Sequence, residues 1–398
     1  MNALVSYPLM VLAGLLAIPT AVLCIEIVAA LVLPQPQPNS RVRNGARRRL
    51  AVLVPAHNES TGLLPTLVDI RGQLLPDDRL VVIADNCTDD TAAVARSEGA
   101  EVIERQDLTK LGKGYALDHG LKYLTLDPPE IVIAIDADCR VKEGTIDELA
   151  VTSWSTGQPT QSFNTMTSPK TSQVNHQVAE FAWQVKQWLR PLGLRAFSFP
   201  CQMTGTGMAF PWDAIRSVKL NSASLAEDLK LGLELSLTGY SPIFCPSACV
   251  TSEFPTSLKG VTTQRKRWEQ GHIEIITNDA PRLFWLALAR RNWRLLVLTL
   301  DLIVPPLSLL AMSLAGMFAI NSLAALIGFS SVPFIISAAS LFALIAVIVA
   351  AWLNCGRHLL PARAIVSVVP FVLGKIGLYR RIVSGAGDAK WDRTDRKR

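Results

Sequence analysis

The chain has 398 residues, of which 49% are hydrophobic and only 18% charged, with a net charge of +6 and a mean hydropathy of +0.29. A chain this apolar is not an ordinary soluble enzyme, so membrane spans must be located before any fold is argued. Its seven cysteines, odd in number and scattered, argue against a disulfide framework, and Cys245 and Cys249 lack a second pair at metal spacing, which argues against zinc.

Taken in chain order, residues 8–34 are almost wholly apolar, interrupted by Glu26, and long enough to cross a bilayer. No basic residue precedes them and no small-residue cleavage site is evident, so a cleaved leader is not expected. The cluster "RVRNGARRR" at 41–49 abuts this span. It places the downstream side in the cytoplasm and makes anionic lipid, not nucleic acid, the partner of the basic charge.

A single domain is expected next. "LAVLVPAHNES" (50–60) reads as a buried strand running into a polar turn, followed by a helix through Leu67 and Ile70. "RLVVIADNCTDDT" (79–91) is a second strand, 91–99 a helix closed by glycine, "AEVIERQ" a third strand and 114–124 a helix. "EIVIAIDADCRV" (130–141) is the fourth strand. Its Ile- and Val-rich run follows Pro128 and Pro129 and suits a strand buried on both faces. Asp136 and Asp138 end it. In an extended chain they point to one side, about 6.5 Å apart. Two such carboxylates suit a hard divalent cation carrying a phosphate-bearing ligand, with a ligand-free acidic turn as the alternative. The alternation of strand and helix predicts an α/β domain, a mostly parallel Rossmann-like sheet with helices on both faces. Ligands of such sheets gather beyond the carboxyl ends of the strands, where the sequence puts His57, Asn58 and Glu59, then Asp85 and Asn86, then the aspartate pair.

Further along, "CQMTGTGMAFPW" carries Gly205 and Gly207, which let backbone approach a ligand. Glu227 and Asp228 open an amphipathic helix, where acids also suit the helix dipole. "TTQRKRWEQGH" places Gln264, Arg267 and Trp268 on one helical face. An arginine fork fits phosphate oxygens, and a tryptophan face fits a sugar ring. "PRLFWLALARRNWR" (281–294) reads as an interfacial helix, and 295–329 with 332–353 as a membrane hairpin. Pro305 and Pro306 should kink its first helix, with Asp301 near the cytoplasmic end. Residues 364–378 read as a second interfacial helix, because a crossing there would put the basic tail "KWDRTDRKR" outside.

The ordered set "VPAHNES", "ADNCTDD", "GKGYAL", "DAD", "GTGMAF", "AED" and "QRKRW" resembles the membrane-integrated family 2 glycosyltransferases of GT-A fold. These include cellulose, chitin and hyaluronan synthases and bacterial exopolysaccharide glycosyltransferases. The resemblance covers roughly 50–275, and the terminal "KWDRTDR" is similar to the exopolysaccharide branch. It implies that Asp85 holds the nucleoside of a sugar nucleotide, a UDP-sugar, with His57, Asn58 and Glu59 lining the same pocket and Lys113 near the base or phosphates. It implies that Asp136 and Asp138 bind Mg²⁺ or Mn²⁺, Asp138 being the direct ligand, and that Gln264 and Arg267 contact the diphosphate. Asp228 would be the general base, Glu227 its positioning neighbour, and Trp268, Gly205 and Gly207 would meet the acceptor.

Two departures stand out: Ala226 precedes Glu227 where many synthases have threonine, and Arg265 follows Gln264 where processive members often have a second glutamine. The implied division is a membrane segment at 1–40, a cytoplasmic catalytic domain at 41–280 and a membrane and tail region at 281–398. The implied protein is an inverting enzyme of the bacterial inner membrane. Its acceptor is a polyprenyl-linked oligosaccharide or a growing polysaccharide, and other polysaccharide-assembly proteins are candidate partners. The competing readings are a small processive synthase and a non-enzymatic carbohydrate-export scaffold.

Overall fold

The computed structural model describes residues 2–36, 47–169, 176–220 and 225–384. Most of the basic cluster at 41–49 and all of the "KWDRTDRKR" tail lie outside the described residues. The chain forms two compact units. One gathers 2–35, 176–197 and 272–384; the other gathers 36, 47–169, 198–220 and 225–271.

The second unit is built on one eight-stranded sheet of order β3-β2-β1-β4-β7-β6-β8-β5. The strands are β1 (Leu50–Ala56), β2 (Arg79–Asp85), β3 (Glu101–Arg105), β4 (Ile131–Ala134), β5 (Arg140–Val141), β6 (Thr160–Thr167), β7 (Met208–Pro211) and β8 (Ile243–Glu253). The first four pair in parallel, as expected. β7 then runs antiparallel to both β4 and β6, while β6 and β8 are parallel, so the sheet is mixed beyond β4.

The apolar runs follow from double-sided burial. In β1, Leu50, Val52 and Val54 pack with Leu63, Leu67 and Ile70 on one face. Ala51 and Leu53 pack with Leu117 and Leu124 from the helix Lys113–Leu124 and with Leu231 and Leu235 on the other. Helices therefore cover both faces. β6 (TQSFNTMT) is buried though polar, which is why no apolar run announces it.

In the other unit, four stretches of described helix are long and apolar enough to cross a membrane: Leu4–Val32, Leu307–Leu326, Val332–Gly356 and Ala362–Ile382. One sequence expectation changes here, and a second meets an alternative. The prolines do not kink one helix but separate two, Trp293–Leu302 and Leu307–Leu326. Pro306 sits at the N-cap with φ −47° and ψ 132°. A proline lacks the N–H that continues a helix and pushes the preceding residue out of helical geometry. The stretch read as an interfacial helix at 364–378 falls within Ala362–Ile382, a fourth candidate span by length and composition. It is assembled from three short pieces, Ala362–Ser367, Val368–Leu373 and Ile376–Val383.

Residues 176–197 bring a helical insertion into this unit, which the sequence did not announce. Val178, Phe181, Val185 and Leu189 pack with Leu23 and Ile27 of the first long helix and with Val304 and Leu310. Arg190 donates to Glu26 at 2.6 Å and also to Asp301, and all three are buried. The approach is close: a Cβ on Gly193 would lie 1.9 Å from the carbonyl oxygen of Glu26. A buried ion set is costly to break, because removing one partner leaves an uncompensated charge worth about 3–5 kcal/mol.

We predict that Arg190→Gln lowers the thermal midpoint of the detergent-solubilised protein sharply. Adding Glu26→Gln and Asp301→Asn should recover most of that loss. Circular dichroism melts check both, and an Arg190→Gln melt equal to wild type refutes the ion set as a structural tie.

Candidate active site

β2, β1 and β4 are adjacent and parallel, so their carboxyl ends open on one edge of the sheet. The polar residues predicted for those ends meet there. His57 Nδ1 lies 2.7 Å from the carbonyl oxygen of Asp85. The side-chain oxygen of Asn58 accepts from the Thr88 N–H at 2.7 Å. The Thr91 hydroxyl accepts from the N–H groups of Glu59 and Ser60, each at 2.9 Å, and donates to Asp89 at 2.5 Å. These bonds hold a strained corner, since Asn58, Ser60 and Asn86 all have φ near +50° (53°, 46° and 51°).

Asp85 is buried, and its Oδ1 accepts from Arg105 at 2.5 Å and from Asn86 at 3.1 Å. Arg105 was missed by sequence reasoning. It ends β3 in direct register with Asp85, so the strand-end rule that found the other groups would have found it.

The aspartate pair sits differently from the extended geometry expected. β4 stops at Ala134, and Asp136 opens a turn in which its carbonyl accepts the Cys139 N–H at 3.3 Å. The turn, not strand pleating, gathers ligand atoms of Asp136, Asp138 and Cys139 to within 4.8 Å of one another. The Asp136 N–H donates to the Thr206 hydroxyl at 3.0 Å. Cys139 is buried, and its thiol lies 3.2 Å from the Ser252 hydroxyl. Burial, with Asp136 beside it, pushes that thiol up to about 11, so it keeps its proton.

The glycine-rich segment lies against this turn. The Gln161 side-chain amide accepts from Thr204 N–H at 2.8 Å and donates to the Thr206 carbonyl at 2.9 Å, bracketing Gly205. Gly205 has φ +92°, and a Cβ there would lie 3.2 Å from Asp228 Oδ2. Gly207 has φ +65°, and its open side is filled by Ser162, whose Oγ a Cβ would meet at 1.9 Å. Lys113, at the start of Lys113–Leu124, donates to both Asp136 and the Gly205 carbonyl. Burial alone would lower the Lys113 ammonium, but Asp136, with Glu227 and Asp228 behind it, outweighs that and holds it above the usual lysine value.

Glu227 and Asp228 open the helix Glu227–Leu237. Glu227 Oε2 accepts the Gly114 N–H at 2.9 Å, so it caps the N-terminus of the Lys113 helix. Glu227 is partly exposed but ringed by protein. Burial drives its carboxyl up to about 7 against the pull of Lys113, and Asp228 and Asp136 add to the rise. Gln264, Arg267 and Trp268 lie on the helix Leu258–Asn278. Gly271 shares their face at one further turn. A Cβ there would meet Leu225 and Ala226 at 3.0 and 3.1 Å, so this face abuts the start of the Glu227 helix.

The raised Glu227 value sets a pH signature. Between about 4.5 and about 7 the folded chain keeps this proton while the unfolded chain loses it, so the group costs stability as pH rises through that window. Glu227→Gln should therefore melt progressively higher relative to wild type as pH rises from 4.5 to 7. Paired melts across that range check it, and a constant difference refutes the assignment.

Comparison with known proteins bears on what this arrangement serves. The sequence family described as "Glycosyltransferase like family 2" matches residues 47–271. The chain is 24% identical over 260 residues to the probable glycosyltransferase YdaM of Bacillus subtilis, covering 60% of this chain and 58% of that protein. It is 37% identical over 83 residues to 4,4'-diaponeurosporenoate glycosyltransferase of Staphylococcus aureus, covering 21% and 22%. It is 29% identical over 115 residues to a UDP-forming cellulose synthase of Dictyostelium discoideum, covering 28% and 10%. The chain thus spans less than two thirds of the length of these curated relatives. Among solved structures, the mannosyltransferase PcManGT from Pyrobaculum calidifontis, in complex with GDP-Man and Mn²⁺, matches with TM-score 0.57 and 16% identity. The match covers 95% of this chain and 100% of that one. That likeness is one of fold, the GT-A fold. Because the family's match takes in more than half of the chain and every strand of the sheet, the chain belongs to the glycosyltransferase-like family 2.

Proposed function

We propose that this glycosyltransferase is an inverting, membrane-bound enzyme that moves a sugar from a UDP-sugar to a membrane-associated acceptor. That acceptor is a polyprenyl-linked oligosaccharide or a growing exopolysaccharide, and the product linkage is β. The observation that carries the reading is the convergence of Asp136, Lys113 and Glu227 with Asp228 around the Gly205 backbone, at the open end of β4.

The aspartate turn fits a divalent cation. Its two carboxylates are hard oxygen donors of the kind Mg²⁺ and Mn²⁺ take, while the protonated Cys139 thiol is not a ligand for such an ion. Asp138, helped by Asp136, would hold it, and when bound it would act as a Lewis acid on the donor diphosphate.

The chain's own residues supply the rest. Asp85, oriented by its pair with Arg105, accepts from the nucleoside, and the corner of His57, Asn58 and Glu59 shapes that pocket. Lys113, with Gln264 and Arg267, takes up the diphosphate as negative charge develops on it. Trp268 gives the acceptor sugar a flat face to stack on, and the backbone at Gly205 lets it come close. Gly207 drops out of that role, because it is buried and Ser162 and Val250 fill the space beside it. Asp228 takes the proton of the acceptor hydroxyl as the oxygen attacks the anomeric carbon. The bond to phosphate breaks on the opposite side and the nucleoside diphosphate leaves. In-line displacement inverts the anomeric centre, so an α-linked donor gives a β-linked product. Glu227 holds the Lys113 helix in place and takes no proton from substrate.

The placement is a bacterial inner membrane with the catalytic domain, 41–280, in the cytoplasm between the segments at 1–40 and 281–398. It is supported by the candidate spans and by the basic residues flanking the first of them.

A screen of sugar nucleotides with purified protein, with and without Mg²⁺ or Mn²⁺, tests the reaction; absence of cation-dependent nucleoside diphosphate release from every donor overturns it. Asp228→Asn should lower transfer by about 10²–10⁴-fold and leave nucleoside diphosphate binding, read by calorimetry, nearly intact. Equal losses of binding and transfer remove Asp228 from the role of base.

A further inference from the structure

The turn that carries Asp136 and Asp138 is held from below by a helix to which no chemistry has been given. Thr66 lies on the helix Leu64–Arg71 and is 1% exposed. Its hydroxyl is 2.8 Å from the Ala137 carbonyl oxygen and 2.6 Å from that of Cys139. Those two carbonyls flank Asp138 on either side. One hydroxyl proton shared between them ties the peptide plane before Asp138 to the plane after Cys139, which restrains the short stretch of backbone between them that carries the Asp138 side chain.

The same helix grips the turn again one helical step on. Asp69 accepts from Arg140 Nε and Nη2 at 2.7 and 2.8 Å and from the Val141 N–H at 3.0 Å. Beyond it, the Gln73 side-chain oxygen accepts from the Ile146 N–H at 3.3 Å. Thr66, Asp69 and Gln73 recur at the spacing of one helical face, so a single face of Leu64–Arg71 and the turn after it follows the chain from Ala137 to Ile146. On the opposite side, Thr206 takes the Asp136 N–H. The two aspartates are thus set by two threonine hydroxyls from separate segments.

We infer that Thr66 is a positioning residue for divalent-cation binding: its hydroxyl, bound to the carbonyls on both sides of Asp138, holds that carboxylate at the spacing from Asp136 that a cation needs. The inference rests on the cation reading proposed above and adds to it a residue that touches neither cation nor substrate. Outer groups that orient a metal ligand typically change metal affinity by about 10–100-fold when removed.

The test is Mn²⁺ binding by the full chain in detergent, without donor, read from the electron paramagnetic resonance signal of free Mn²⁺. Thr66→Val keeps the side-chain shape and removes the donor; it should weaken Mn²⁺ binding by about tenfold or more. Thr66→Ser keeps the hydroxyl and should bind Mn²⁺ within about threefold of wild type, short of the loss that removing an orienting group brings. Thr145→Val removes another fully buried hydroxyl, one bonded to the Cys249 carbonyl at 3.0 Å, and should leave Mn²⁺ affinity unchanged. Asp138→Asn serves as the reference for the cation site itself. If Asp138→Asn binds Mn²⁺ like wild type, the cation reading fails. If Asp138→Asn loses Mn²⁺ while Thr66→Val retains it, the cation reading stands and the Thr66 inference is overturned. Equal losses in Thr66→Val and Thr145→Val also overturn it, because they show general loosening. Should Thr66→Val give no folded protein, Thr66→Ser decides alone: a tenfold loss with the hydroxyl present assigns the effect to the methyl group and refutes the inference.

Discussion

Crowded negative charge at the open end of β4 is the constraint on which the site depends. Asp136, Glu227 and Asp228 all act on the ammonium of Lys113 strongly enough to hold it above its ordinary value despite burial. Like charges this close raise one another's proton affinity unless a cation stands among them. The protein answers with a lysine placed at the first turn of a helix, and that position is itself secured by Glu227, which caps the helix. The acid that would otherwise add to the repulsion is therefore what fixes the counter-charge. A site of this kind also welcomes a further cation, and the carboxylate oxygens of the 136–138 turn are the hard donors such an ion takes.

Holding those groups together requires helices to approach more closely than side chains ordinarily allow, and glycine makes the approach at three places. A Cβ on Gly120 would press on Ile83 and Leu53 at 3.2 to 3.3 Å, so the Lys113 helix lies tight on β1 and β2. A Cβ on Gly232 would lie 3.0 Å from Met203, which brings the Asp228 helix onto the segment leading to Gly205. Gly271 does the same for the helix that carries Gln264, Arg267 and Trp268. A methyl group at any of these points would make its neighbours give by a few tenths of an ångström, which a close-packed interior resists. The polar strand β6 completes the scaffold: Gln161 and Asn164 spend their amides on the backbone of Thr204 and Thr206, so the loop bearing Gly205 is tied to the sheet on both sides.

The parts of this structure that the sequence reveals are those where burial dictates composition. β1, β2 and β4 are covered on both faces, so they read as apolar runs, and the polar residues that end them had to mark the open edge. The candidate site residues at those strand ends, His57, Asp85 and the aspartate pair, were legible for the same reason, as interruptions of a rule. Legibility fails where one residue's purpose lies in a distant one. β6 hides because it is polar where it is buried, with the amides of Gln161 and Asn164 bonded to the backbone of another segment. Arg105 stood at the end of a strand that the sequence did show, but its bond to Asp85 is understood only once β3 is in register with β2. Glu26 and Arg190 are separated by 164 residues, so neither announces its bond to the other. The aspartate pair shows the subtler failure: the spacing was visible, but a turn and not a pleated strand brings the two carboxylates together. Pro305 and Pro306 were rightly seen as an interruption, yet the pair, with Pro306 at φ −47° and ψ 132°, ends one helix before the next begins and does not merely bend it.

The neighbouring acids Glu227 and Asp228 show why adjacency in sequence does not mean a shared task. Successive residues of a helix point about 100° apart, so at the first turn of Glu227–Leu237 the two carboxylates face different partners. Glu227 faces the Lys113 helix and accepts its Gly114 N–H. Asp228 faces Gly205, and the absence of a side chain there leaves room in front of its carboxylate that any other residue would fill. A carboxyl group that caps a helix has one oxygen engaged; turning that oxygen to a substrate hydroxyl would leave a buried N–H unpaired, at a cost of about 1–3 kcal/mol. A carboxylate beside a glycine with φ +92° faces backbone that only glycine adopts without strain. In the reading proposed here, that difference in surroundings assigns the proton to Asp228 and the scaffold to Glu227.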